Sequence, residues 1–416
     1  MATTAHATHA GSGPSRQAVS VVNRGRFAEW LAPRASADFF SGIGLMSMGL
    51  SRAGWRPRWA NDYDAKKRLF YEHNARAVHG DGTHTLDPRP VQQIRPKDVP
   101  RVGLMAACFP CTDLSLAGAQ RGLVAGPQSS AFLHFADLLD ELGDERPPFV
   151  LLENVVGLVT SHGGADFELC LRRLAHAGYR IDAMAINAKH FVPQSRPRLF
   201  VLGVRDDAPG LEAIAAHGAS EDELRPTRLA GFRAEHSKLP WICPAMPALP
   251  RVRGDLVSVL ENFEHDDARW WSDERVRRLR AQVSERHQTM VRERVRETGV
   301  ACATAFRRMR RGRSMAELRF DGIAGCLRTP KGGSAKQILV RVDREGWRAR
   351  LLTPTECARL MGADGFDVAP PGTNRDDALF GFGDAVAPPV VRWVVEGWIN
   401  PLAQRIERAD RKPRDR

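Results

Sequence analysis

The sequence predicts an α/β fold, a doubly wound and mostly parallel sheet with a second, smaller domain, and two observations predict it. Between residues 35 and 205, short apolar runs bounded by turns alternate with segments of helical spacing. After Arg205 that rhythm fails, giving way to an Arg- and Pro-rich block up to about residue 322, before ordered motifs return.

Each apolar run reads as a strand buried on both faces: "ASADFF" (35–40), "RPRWAN" (56–61), "RVGLMAAC" (101–108), "PFVLLEN" (148–154), "IDAMAIN" (181–187) and "RLFVLGV" (198–204). Helical spacing occupies 43–53, 64–74, 131–142 and 165–177. Strand and helix in alternation imply a parallel sheet whose ligands bind beyond the carboxyl ends of the strands. The apolar helix "VVRWVVEGWI" (390–399) is expected to pack back onto that sheet. The expected domains are a disordered tail (1–34), an α/β domain (35–205), a smaller domain (206–368), a segment returning to the α/β domain (369–400) and a basic tail (401–416).

Composition narrows the chemistry. A chain of 416 residues with 43% hydrophobic and 26% charged content can bury a sizeable core. Its net charge of +12 points to a polyanionic partner, nucleic acid first. The arginines at 307, 308, 310, 311 and 313 each read singly as a solvated face and together as a surface for phosphates. Seven cysteines without repeated spacing argue against a disulfide framework and for a reducing compartment. No uninterrupted apolar stretch approaches the length of a membrane span.

Three strand-end features favour a nucleoside cofactor. "DFFSGIG" (38–44) places Gly42 and Gly44 where the backbone turns from strand to helix, but its spacing misses the dinucleotide fingerprint. In "NDYD" (61–64), Asp62 can accept both hydroxyls of a ribose and Tyr63 can stack on an adenine; an N-cap is the simpler alternative. "HGDGT" (79–83) puts Asp81 at the third strand end, suited to an adenine amino group. In "CFPC" (108–111), spacing leaves open a redox pair, half of a zinc site, or a loop nucleophile at Cys111 with Cys108 as bystander. Glu153 and Asn154 at the next strand end favour the nucleophile.

Taken in order, "DFFSGIG", "FPC", "ENV", "QSRPR", "LTPTECARLMG" and "GFGDAV" resemble the DNA cytosine-5 methyltransferase family over most of residues 35–400. The resemblance implies a Rossmann-like domain that binds S-adenosyl-L-methionine and a methyl transfer to carbon 5 of a flipped-out cytosine in a specific double-stranded DNA sequence. Cys111 would be the nucleophile and Glu153 would hold the ring nitrogen and exocyclic amine. Arg196 would secure the base, with Arg198 supporting it. Phe39, Ser41, Gly42, Gly44, Asp62, Tyr63, Asp81, Pro110 and Asp384 would surround the cofactor, with no metal. The loop 112–130, with Ser115, Gly118 and Gln120, would close over the base. Asp62, Thr112 and Asp384 stand where the family usually has glutamate, glutamine and asparagine, and Asp384 sets a carboxylate where a neutral amide is usual. The resemblance further implies a cytoplasmic, nucleoid-associated bacterial monomer of a restriction-modification or phage-defence system, with a cognate defence protein as partner and no membrane association. Transfer RNA methylation, DNA binding without catalysis, and thiol oxidoreduction through Cys108 and Cys111 are the competing readings.

Overall fold

The structure, a computed structural model, describes residues 26–80, 82–110, 130–212, 214, 221–251, 255–310, 312–329 and 336–411. Seven strands, β1 (Ala35–Phe39), β2 (Arg56–Asn61), β3 (Thr85–Asp87), β4 (Leu104–Ala107), β5 (Phe149–Asn154), β6 (Tyr179–Asn187) and β7 (Pro197–Arg205), form one sheet in the order β3-β2-β1-β4-β5-β7-β6. β1 pairs in parallel with both β2 and β4, so the strand order reverses direction there and opens a crevice at their carboxyl ends. β7 alone runs antiparallel, against β5 and β6. Only nine residues (188–196) join β6 to β7, too few for a parallel crossover.

Side chains alternate strictly between two cores. Leu104 and Ala106 of β4 and Phe149 and Leu151 of β5 enter one; Met105, Ala107, Val150 and Leu152 enter the other. The first core is completed by α1 (Arg26–Leu31), α2 (Leu45–Arg52) and α3 (Ala65–His73), and the second by α4 (Ser130–Leu142) and α5 (Ala165–His176). β3 has no counterpart among the expected strands, because "TLD" is a short edge strand with no apolar run. It also lies after residue 81, so Asp81 precedes the third strand.

The block after Arg205 is less irregular than its composition implies. Asp182, fully buried on β6, receives Arg225 Nη2 at 2.7 Å, Arg233 Nη1 at 3.1 Å and Trp398 Nε1 at 3.1 Å, which ties the block to the first sheet. Strands β8 (Ala301–Arg310), β9 (Arg313–Arg319), β10 (Ile338–Asp343) and β11 (Gly346–Leu351) then build a second, antiparallel sheet in the order β11-β10-β8-β9. Ala301, Ala303, Ala305, Ala316, Leu318 and Val340 face α6 (Asp273–Ala281) and α7 (Glu285–Thr298) through Val276, Leu279 and Val291. By register, the opposite face carries Arg308, Arg310, Arg313, Arg319, Arg341 and Arg348.

The last helices return to the first sheet: α8 (Pro354–Leu360), α9 (Arg375–Asp384), α10 (Pro388–Val394) and α11 (Asn400–Arg411). Leu352, Cys357, Leu360 and Met361 already lie in the first core, so the chain rejoins it before residue 369. Two expected tails are corrected in part. Phe27, Trp30 and Leu31 of α1 and Leu402, Ala403 and Ile406 of α11 are buried, and Ala28 N–H donates to Asp410 at 2.9 Å. Residues 26–34 and 401–411 thus belong to the folded body, with the basic side chains of α11 on its solvent side. The run Arg375–Arg411 is long and apolar enough to cross a membrane by length and composition, but residues 385–387 interrupt it and Val391, Val394, Trp398 and Ile399 fill the core.

Candidate active site

The carboxyl ends of β1 and β2 form one wall. Phe39 is wholly buried, its ring 4.8 Å from Trp59 and 5.0 Å from Phe135, because it shares the face of Ala37. It is a core residue and not a crevice residue, which corrects its expected cofactor contact. The aromatic at the crevice is Phe40, half-buried and held at φ 56°, a left-handed conformation that a bulky residue rarely adopts. Strand alternation is the signal that separates the two. Ser41 is buried, and its N–H donates to Asn61 O at 2.9 Å. Gly42 (φ 57°) has open space where a Cβ would stand, whereas a Cβ on Gly44 (φ 92°) would fall 2.8 Å from Val78. One glycine leaves the floor clear; the other lets the turn pack against α3 and the helix Ala75–His79 that follows it.

Asp62 is buried at the end of β2. One carboxylate oxygen accepts from Gly42 N–H at 2.8 Å and the other from Asp64 N–H at 2.8 Å. Burial raises its pKa, against the lowering pull of Lys67. The neighbouring Tyr63 is 63% exposed, an unpacked ring beside a buried carboxylate. Behind the glycine turn, buried Asp38 accepts from Ser47 N–H at 3.1 Å and Ser47 O–H at 2.7 Å, and desolvation raises its pKa to about 7. Asp81 lies outside the described residues.

The second wall is the carboxyl ends of β4 and β5. Cys111, with Thr112, Ser115, Gly118 and Gln120, lies outside the described residues. The segment leading to it is held: Asn154 Nδ2 donates to Phe109 O at 3.1 Å, and Pro110 is half-buried. Continuing the β4–β5 register sets Cys108 beside Glu153 on one face, and the Cys108 thiol hydrogen-bonds the Glu153 carboxylate. Glu153 is buried and lies 3.0 Å from Arg198 Nε. Desolvation raises the Glu153 pKa despite the lowering effects of Arg198, Arg196 and Cys108; burial, then the nearby Glu153 charge, drive the Cys108 thiol up.

The two arginines of "QSRPR" hold different posts from those expected. Arg196 is 1% exposed, and its guanidinium donates to Leu327 O at 2.7 Å, to Gly383 O at 2.8 Å and to Ala385 O. It is a clasp between three backbone carbonyls. Arg198 is the residue that meets Glu153. Cys326 sits between them, 3.4 Å from Arg196 Nη1; burial raises its thiol pKa, but Arg196, Arg198 and Arg328 outweigh burial and leave it lowered. Gln194, fully buried, donates to Leu360 O at 2.8 Å and accepts from Leu327 N–H at 3.0 Å.

Helix α9 closes the crevice from above. A Cβ on Gly381 would lie 2.5 Å from Ile43 of the glycine turn, and one on Gly383 would lie 2.5 Å from the backbone of Arg328 and Thr329. Asp384, its last residue, meets Lys67 Nζ at 2.7 Å. Nothing in the sequence singles out Lys67, because nothing there links it to a residue 317 positions away. Among the described residues no group of three His, Cys, Asp or Glu side chains could hold a metal ion.

Comparison with known proteins places this arrangement. The chain is 30% identical over 173 residues to the type II methyltransferase M.Bsp6I of Bacillus sp. (strain RFL6), covering 41% of this chain and 52% of that one. It is 32% identical over 172 residues to M.MthTI of Methanothermobacter thermautotrophicus, covering 41% and 49%. The chain thus spans about half the length of the curated relatives it matches. The fold is similar to that of the S. pombe Dnmt2 methyltransferase, with TM-score 0.56 and 14% identity over 88% of this chain and 99% of that one. The family model for C-5 cytosine-specific DNA methylases matches residues 35–400, and with the seven-stranded sheet and its two walls this places the chain in that family.

Proposed function

We propose that this protein transfers the methyl group of S-adenosyl-L-methionine to carbon 5 of a cytosine in double-stranded DNA. The observation that carries the reading is the placement of buried Glu153, flanked by Arg198 and Cys108, one strand away from the F-P-C segment and across the sheet's switch point from Asp62. The residues present fit the cofactor: Gly42 leaves space beside the backbone, Asp62 keeps lone pairs for ribose hydroxyls, and Phe40 and exposed Tyr63 offer rings to an adenine. When bound, the cofactor supplies an electrophilic methyl group.

The protein's own groups make the base reactive. Carbon 5 of cytosine is a poor nucleophile, so the Cys111 thiolate adds to carbon 6 while the Glu153 carboxyl gives its proton to the ring nitrogen. Burial raises the pKa of Glu153 and so favours its protonated form, and Arg198 stabilises the carboxylate left behind. After methylation solvent water takes the carbon 5 proton, its electron pair forms the carbon 5–carbon 6 double bond as the bond from sulfur to carbon 6 breaks, the thiolate returns, and the Glu153 carboxylate takes back the ring-nitrogen proton. The base must be flipped out of the duplex for this, and the arginine face of the second sheet is suited to the phosphates on either side.

The test is incubation with methyl-labelled cofactor and, separately, plasmid DNA and transfer RNA. Label on DNA cytosine that is lost in Cys111→Ser and in Glu153→Gln supports the reading. Label on RNA alone, or loss on Cys108→Ser with Cys111→Ser active, overturns it.

A further inference from the structure

Lys67 and Asp384 mark a place where the crevice departs from the expected chemistry and the structure supplies a partner. Lys67 stands on the first turn of α3, just beyond Asp62 and Asp64, and its side chain is 21% exposed. The carboxylates of Asp384, Asp62 and Asp64 all act on its ammonium, which hydrogen-bonds Asp384. The Asp62 carboxylate meanwhile receives backbone N–H groups, from Gly42 and Asp64. A lysine on a flexible four-carbon stem that had no other acceptor would close on Asp62, and a charge-assisted hydrogen bond there would take up the lone pairs a ribose needs.

We propose that Asp384 is a positioning residue: it draws the Lys67 ammonium to itself and so keeps the Asp62 carboxylate open to the two hydroxyls of the cofactor ribose. Its backbone is a fixed anchor for this task. Arg196 grips the carbonyls of Gly383 and Ala385 on either side of it, and Gly381 lets the same helix press on Ile43 between the two crevice glycines. A neutral amide at this position could not hold an ammonium as strongly, so the carboxylate at 384 and the lysine at 67 belong together. The proposal rests on the reading that Asp62 binds the cofactor ribose.

The test is calorimetric titration of the full chain, without nucleic acid, with S-adenosylhomocysteine and with methylthioadenosine, which keeps the ribose and lacks the amino-acid portion. Asp384→Asn is expected to weaken both ligands about ten-fold, the scale of one charged hydrogen bond. Lys67→Met is expected to change affinity by less than about three-fold, and the double variant to return to within about three-fold of the parent, because the competitor is gone. Thermal melting of each variant checks that it folds. A simple staple between α3 and α9 would give equal losses of melting temperature in both single variants and unchanged ligand affinity, which overturns the proposal. So does a double variant no better than Asp384→Asn. If the parent binds neither ligand, the ribose reading of Asp62 fails, and the positioning role falls with it.

Discussion

At the scale of single residues, the two arginines of one short motif show how neighbours in sequence divide their work. Arg196 pairs backbone carbonyls and Arg198 pairs a carboxylate, so their loss has opposite signatures. Arg196→Met leaves buried carbonyls unpaired and is expected to destabilise the protein by about 3 kcal/mol or more, read as a lowered urea midpoint. Arg198→Met is expected to shift stability by less than about 1 kcal/mol, because Glu153 can answer by keeping its proton, while lowering methyl transfer at least about 100-fold. Asp38 offers a second test. Its folded pKa near 7 lies above its ordinary value of 3.8, so the folded state holds more protons than the unfolded state between those values. Stability therefore falls as pH rises from about 4 to 7, and is lowest above that window. Asp38→Asn, which can still accept from Ser47, is expected to flatten this slope in melting experiments between about pH 5 and 8.

At the scale of elements, the closing helix α9 depends on two side chains that are not there. Gly383→Ala would push a methyl group to 2.5 Å from the Arg328 and Thr329 backbone, and backbone cannot swing aside as a flexible side chain can. It is expected to cost about 1–3 kcal/mol and to impair the crevice, checked by denaturant midpoint and ligand titration together. Gly42→Ala meets no atoms and is expected to cost only the left-handed strain of about 1–2 kcal/mol. The elements of the first sheet were legible because burial on both faces produces apolar runs of strand length. The direction of β7 was not, since hydrophobicity carries no sign of chain polarity and only the short link from β6 decides it. The second sheet was hidden by its composition: Ala301, Ala303 and Ala305 alternate in strand fashion, but the arginines that follow them read as surface. In the site, motif order located the Glu153 and Asp62 walls. It could not assign Phe39 and Phe40 to their faces, separate Arg196 from Arg198, or find Lys67, whose meaning depends on a residue at the far end of the chain.

At the scale of the whole molecule, the excess positive charge is not spread evenly. The second sheet turns Arg308, Arg310, Arg313 and Arg341 to the face away from its helices, partly balanced by Glu317 and Asp343. Affinity for duplex DNA is expected to fall steeply with salt. Removing Arg308 and Arg310 together should reduce the logarithmic salt slope by about one for each phosphate that is no longer neutralised, measured by fluorescence anisotropy across salt concentrations. A slope unchanged by that pair would place the phosphates elsewhere.

The Arg196 clasp has a consequence for how this protein is made. Its acceptors come from residue 327 and from residues 383 and 385, so a chain emerging from the ribosome leaves this guanidinium without its full set of carbonyls until 189 further residues have been added. A polypeptide stopped before residue 383 cannot complete the clasp, and the wall that carries Arg198 and Glu153 is then not joined to α9.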